Sequence, residues 1–300
     1  MTVGTRAPSG RPARERTRDP SLDPPPEARS RAAQRAAAAG RAVRAWVTPG
    51  RARWAAPVMP AAAVLLLWLG LTHGAHVSRL LLPAPGAVAA TFWQGVTTGW
   101  LLNAAGVTLL ESLAGFVLGA VVALPLGYAV ARSRWMSWAI QPYLAASQAL
   151  PAVALAPLLA VWLGYGLPPT AALGALITFF PATIATTLGL RALDGAVLDA
   201  ARVDGAGRWA LLREIEVPLA LPAILAGLRT SLTLSVTGAV VSEFVIGGAG
   251  IGLGSLLTQA LGHVDTAALF AILFMLALLA AALYGAARLV EHRVSYLEAD

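Results

Sequence analysis

The chain has 300 residues, of which 57% are hydrophobic and 12% charged, with a mean hydropathy of +0.69. A soluble domain carries about twice that share of charge, so most of this chain is expected to meet lipid, not water. The formal net charge of +7 involves no lysine, and the lack of cysteine excludes disulfides, thiolate metal sites and cysteine nucleophiles.

The charge is unevenly placed. Residues 1–54 hold twelve arginines and four acidic residues, whereas 55–300 hold ten arginines and eleven acidic residues. The basic balance therefore belongs to an Arg/Pro/Ala-rich tail, 1–54, read as a disordered cytoplasmic segment near an anionic membrane surface. A basic surface helix over 28–46 is the other form open to it. Aromatics are absent before Trp46, so nucleic acid is not an expected partner and membrane lipid is. The first apolar run begins near Ala55, too far from Met1 for an ordinary signal peptide, and is expected to stay as an anchor.

Six apolar segments follow, at about 55–71, 105–131, 143–164, 169–190, 219–246 and 266–288. Most exceed the roughly 20 residues that cross a bilayer as a helix, and they are continuously apolar instead of alternating, which favours helices over a barrel. The first is the shortest. Arginine alternates between rich and poor connections: the tail, then Arg79 alone, then Arg132 and Arg134, then none near 164–169. Arg191, Arg202, Arg208 and Arg213 follow, then none, then Arg288 and Arg293. The positive-inside rule predicts both termini in the cytoplasm. The expected fold is thus all-α, an integral membrane bundle of six transmembrane helices over 55–300. Pro83-Ala84-Pro85 followed by 86–98 reads as a short amphipathic helix on the outer surface. The spans are rich in small residues, which let helices approach closely in lipid. They also carry Pro125, Pro151, Pro157 and Pro181, tolerable where freed carbonyls face protein or a wet interior.

The connection 191–218 is long for a link between two spans and is expected to carry helices of its own. Residues 192–203 are Ala-rich, Gly205 allows a sharp turn, a second short helix is expected over 207–216, and Pro218 opens the next span, where a missing N–H does no harm. The segment reads Asp199-Ala200-Ala201, three residues to Gly205, nine more to Ile215, then Glu216-Val217-Pro218. That pattern resembles the cytoplasmic loop signature Glu-Ala-Ala…Gly…Ile-x-Leu-Pro of binding-protein-dependent ABC importer permeases, with Asp199 for the Glu and Val217 for the Leu. Leu82–Pro85, Leu113–Gly127 with Ala131-Arg132-Ser133, Leu150–Gly164, and Ser242-Glu243-Phe244 to Gly254 look like nitrate/sulfonate/taurine-type permeases, so the likeness runs over roughly 60–290.

The resemblance implies a permease subunit that couples through Asp199, Ala200, Ala201, Asp204, Gly205, Ala206, Ile215 and Pro218. It implies a homodimer with a second permease copy, two ATP-binding subunits and an extracytoplasmic solute-binding protein, in the bacterial plasma (inner) membrane. Sulfonates, taurine or nitrate are the implied cargo, with vitamin-like heterocycles (a thiamine pyrimidine precursor, riboflavin) as the alternative. A non-transporting membrane scaffold is the reading from another class. No cofactor is expected. With no lysine, the chain lacks a Gly-x-x-x-x-Gly-Lys-Ser/Thr loop, so ATP is expected on a partner and the chain itself is not expected to be an enzyme.

Ser242 and Glu243, late in the fifth span, could line a pathway or gate, or hold two helices together. Arg229, about two turns into that span, could attract an anionic substrate, but snorkelling to the headgroups is the favoured reading. Glu111 is expected near the outer interface, at a position where relatives often carry a basic residue. His73 and His76 lack a third ligand, and Gly247–Gly252 lacks the lysine and strand of a nucleotide loop, so it reads as a flexible re-entrant connection. An intramembrane enzyme would need convergent catalytic groups, and Glu111 and Glu243 lie on different helices.

Overall fold

The computed structural model describes residues 52–73, 78, 80–147 and 151–297. The expectations for the tail and for the metal-binding potential of His73 and His76 fall outside what these residues describe. The chain divides into two units, 1–67 and 68–300. Every regular element among the described residues is helical.

Helix α1 spans Ala52–His73 and crosses between the two units, its apolar part being Met59–Thr72. In the second unit, α2 is Pro85–Thr97, α3 Trp100–Arg132 and α4 Arg134–Ser147. A 3₁₀ turn, Ala152–Leu155, leads into α5, Ala156–Leu163, and α6 is Leu167–Arg191. Then come α7, Gly195–Val203, and a helical lead-in, Arg208–Ala210 plus the π turn Leu211–Glu216. This lead-in continues into α8, Val217–Ile246; α9 is Leu253–Gly262 and α10 Thr266–Leu297.

Among the described residues, four helical stretches are long and apolar enough to cross a membrane: Trp100–Arg132, Leu167–Arg191, Arg208–Ile246 and Thr266–Val294. The third apolar segment differs from expectation. It is not one continuous helix over 143–164 but a pair, Arg134–Ser147 and Ala152–Leu163, bent by 93°. Pro151 precedes the second limb and cannot donate to a helical ladder, whereas hydropathy runs on through the bend.

What is inside and what is outside identifies the solvent. Large apolar side chains on α3 face outward, among them Leu110, Val117, Val121 and Val122. The buried side of the same helix is Thr108, Glu111, Ser112, Gly115, Gly119 and Ala123. Water would reverse that preference; hydrocarbon does not, because lipid tails are as apolar as leucine and close backbone packing decides association. Gly174 of α6 lies between Gly115 of α3 and Gly238 of α8. A Cβ on Gly115 would stand 2.9 Å from the Gly174 Cα, and one on Gly238 would stand 2.8 Å from it. The small-residue seams expected from the sequence therefore hold α3, α6 and α8 together. Most of their buried hydroxyls bond back one turn, as Thr178 does to Gly174 O at 3.0 Å and Thr186 to Ala182 O at 2.8 Å, while Ser231 Oγ of α8 has no partner among the described residues. Thr187 also bonds across to Gly127 O of α3 at 3.2 Å.

Candidate functional site

The connection between α6 and α8 folds much as its residues dictate. Asp194 caps α7, its side chain accepting the Ala196 N–H at 2.9 Å. The helix therefore begins at Gly195, within the Ala-rich stretch 192–203. Asp199 and Arg202 pair at 2.6 Å on its exposed face, a surface pair of small energetic weight. The helix ends with Ala206 N–H donating to Ala201 O at 3.0 Å and Gly205 N–H to Arg202 O at 3.1 Å. Gly205 sits at φ +89° with open space around it, so its backbone, not its size, is what the turn requires. The second helix begins at Arg208 and widens into a π turn before Val217. Pro218 cannot donate to Glu214 O inside this continuous helix, and a widened turn just upstream relieves the crowding.

The tip of this elbow is exposed and partly apolar. Val203 is 86% exposed and Trp209 81%, on either side of Gly205, with Ala200 and Asp204 exposed beside them. Ala201, Ala206, Ile215 and Pro218 are half-buried. The sequence reading missed Trp209. Its signal was an aromatic among charged residues in a connection that should be polar.

Both ends of the elbow are fixed to the same place. Arg191, last in α6, donates through Nη2 to Val130 O at 2.9 Å and to Ser137 Oγ at 2.8 Å. Glu216, last in the lead-in and 1% exposed, pairs through Oε1 with Arg132 Nε at 3.0 Å. Tyr128, one turn earlier in α3, lies beside Glu216.

At the opposite end of the bundle lies a second polar cluster. Glu243 is buried near the end of α8. It accepts from Thr108 Oγ1 at 2.6 Å, Gly254 N at 2.6 Å and Ser255 N at 3.3 Å. Thr108 in turn accepts from Leu253 N at 2.9 Å. Glu243 thus caps the first turn of α9, where donors have no intrahelical acceptor and an anion is favoured. Glu111 is fully buried among protein side chains and accepts the Ala249 N–H. The connection 247–252 is therefore held by two carboxylates from two helices. A Cβ on Gly248 would meet Glu111 Oε1 at 2.5 Å and Glu243 Cγ at 2.9 Å, so the two acids do converge despite lying on different helices. Ser242 donates to Thr170 of α6 at 3.0 Å.

Arg229 has a setting that neither earlier reading described. Its Nη1 pairs with Glu291 of α10 at 2.6 Å and its guanidinium lies 5.0 Å over the Tyr284 ring. Two adjoining clefts flank α6. One, of about 230 Å³, is lined by Ser147, Ala152, Leu155, Leu176, Ile177, Phe180 and Pro181. The other, of about 410 Å³, is lined by Phe180, Pro181, Ile184, Ala185, Leu188, Gly227 and Thr230. Neither lining includes a charged side chain.

A lipid-facing helical bundle, buried polar clamps at one end and a helical elbow at the other define a membrane permease. The chain belongs to the family of binding-protein-dependent transport system inner membrane components, which matches residues 115–296. It is 43% identical over 253 residues to the riboflavin transport system permease protein RibX of Chloroflexus aurantiacus, covering 83% of this chain and 93% of that one. It is 29% identical over 248 residues to the putative aliphatic sulfonates transport permease protein SsuC of Bacillus subtilis, covering 82% and 89%. Its fold is similar to that of the inward-facing MetNI methionine ABC transporter, with a TM-score of 0.59 at 20% identity over 66% of this chain and 98% of that one. The protein is therefore the permease subunit of an ABC importer and not an enzyme: ATP hydrolysis belongs to a partner subunit, and a solute-binding protein is the other partner the family implies.

Proposed function

We propose that the chain spans the bacterial plasma (inner) membrane six times with both termini in the cytoplasm. Two copies form the pathway, and the elbow 191–218 is the dock for the ATP-binding subunit. The α1 helix and the bent pair α4–α5 add to the four long helices to make six, and the arginine-rich connections then share one side. One observation carries the docking role: Val203 and Trp209 stand out from a turn between two short helices whose ends are clamped to the bundle. An aromatic anchor beside small residues is what a partner's cleft engages. Closure of the ATP-binding subunits would draw on the elbow and rock the bundle between inward and outward openings.

The transported solute is a flat vitamin-like heterocycle of the riboflavin class, ahead of a sulfonate, taurine or nitrate. The cation once considered for anion capture, Arg229, is occupied by Glu291, and Arg132 and Arg191 also have partners. The clefts along α6 are apolar, with Phe180 shared by both, and suit a ring system better than a compact anion. The likeness to RibX supports the same reading. The test is rescue of a riboflavin auxotroph by the permease with its ATP-binding and solute-binding partners, against growth on taurine as sole sulfur source. Rescue on low riboflavin is expected; growth on taurine without riboflavin rescue would return the assignment to sulfonates.

A further inference from the structure

The polar residues of α3 are placed at its two ends and hold the two segments that must move together. At the cytoplasmic end, Arg132 and the Val130 carbonyl grip both ends of the elbow, through Glu216 and Arg191. Toward the outer end, Thr108 and Glu111 grip the connection 247–254, through Leu253 N, Ala249 N and Glu243. Thr108 and Arg132 are 24 residues apart in one 33-residue helix, about 36 Å along its axis. That distance matches the hydrocarbon thickness of about 30 Å with little to spare. Two of the described helices reach both segments: α8, which continues from the elbow and caps α9 through Glu243, and α3, which does so by side chains alone, whereas α6 reaches the elbow by Arg191 but the outer end only through the Thr170–Ser242 bond.

We infer that Arg132 and Glu216 form the joint through which the elbow's displacement enters α3, and that α3 is the rod carrying it to the outer connection. The inference rests on the docking role of the elbow. Glu216 falls at a position the loop signature leaves open, so neither residue of the joint is assigned by that pattern. Glu216 is buried, while Arg132 is about one-quarter exposed at the helix end. Removing either charge strands the other: a buried carboxylate without its guanidinium, or a guanidinium without an anchor on the elbow. Gly115, Gly119 and Gly127 pack α3 against α6 on both sides of Pro125, so the rod does not bend away from its neighbour at the proline. Arg132 and Glu216 are positioning residues for coupling.

The chain's lack of cysteine makes the test direct. Ile251, 61% exposed in the outer connection, is replaced by cysteine. Its labelling rate by a membrane-impermeant maleimide is read in proteoliposomes holding the full transporter, with and without ATP and vanadate. With the joint intact, trapping is expected to change that rate. E216Q and R132Q should each reduce the change, and solute uptake, by about tenfold, the span of a typical coupling energy, while co-purification of the ATP-binding subunit and its basal hydrolysis persist. The double variant R132Q/E216Q should lose no more than either single one. Should E216Q fail to insert, E216D keeps the charge, withdraws it by one methylene and is judged by the same criteria. A full labelling response in either single variant, or losses that multiply in the double, would overturn the joint. Glu216 is buried at the base of the elbow, away from its exposed tip, so loss of the ATP-binding subunit from E216Q alone would make it a docking contact and also overturn the joint. Failure of the unmutated chain to retain that subunit would overturn the docking reading itself.

Discussion

Glu243→Ala should destabilise the bundle far more than Glu111→Gln, although both residues are buried acids beside one connection. Glu243 accepts from Gly254 N at 2.6 Å, Ser255 N at 3.3 Å and the Thr108 hydroxyl at 2.6 Å. Thr108 has another acceptor, the Ala104 carbonyl at 3.2 Å. The two amides have none, because they lie in the first turn of α9. Gly254 is fully buried and Ser255 half-buried. One orphaned donor, part of a second and the cavity left by the side chain amount to about 2–5 kcal/mol. In Glu111→Gln the amide oxygen still accepts the Ala249 N–H, and the new NH₂ replaces Oε2 beside the Glu243 carboxyl, which can accept from it. Its effect should stay below about 1 kcal/mol. Thermal unfolding in detergent, followed by the fluorescence of the nine tryptophans, separates the two. A Glu243→Ala melt that overlays the parent, or a Glu111→Gln melt that falls as far, would refute the capping account.

Three further substitutions probe other links. Gly238→Ala puts a Cβ 2.8 Å from the Gly174 Cα, a backbone contact that must open by about 1 Å. It should lower stability by about 1–3 kcal/mol in the same melt, while Gly106→Ala, with nothing within 4 Å, should be neutral or stabilising; equal effects would contradict the seam. Gly205→Val forces a β-branched side chain to φ +89° and should abolish uptake with membrane insertion intact; undiminished transport would contradict the turn's role. Trp209→Ala should weaken titrated binding of the ATP-binding subunit by about 2 kcal/mol or more; unchanged affinity would remove Trp209 from the dock.

The helices were legible because hydropathy in lipid is a local signal. The elbow was legible because its motif is local too: Asp199-Ala200-Ala201, Gly205, Ile215 and Pro218 all lie within twenty residues. The bend between Ser147 and Ala152 was not, since the apolar run continues across it and only Pro151 marks the place. The convergence of Glu111 and Glu243 was hidden for a different reason. The two are 132 positions apart, and their meeting depends on the register in which α3 and α8 pack. The partner of Arg229 was hidden likewise: Glu291 lies 62 positions on, beyond the part of the last span read as membrane-embedded. Glu216 was passed over because the motif is silent at its position, and its meaning appears only when α3 ends beside it.

The most direct test of the central claim is a single cysteine at position 201 in this otherwise cysteine-free chain. Crosslinking in native vesicles should capture the ATP-binding subunit, at a yield that changes between nucleotide-free and ATP-trapped states. If that cysteine captures only lipid or other permease copies in every state, the elbow is not the coupling site and the mechanism built on it is wrong.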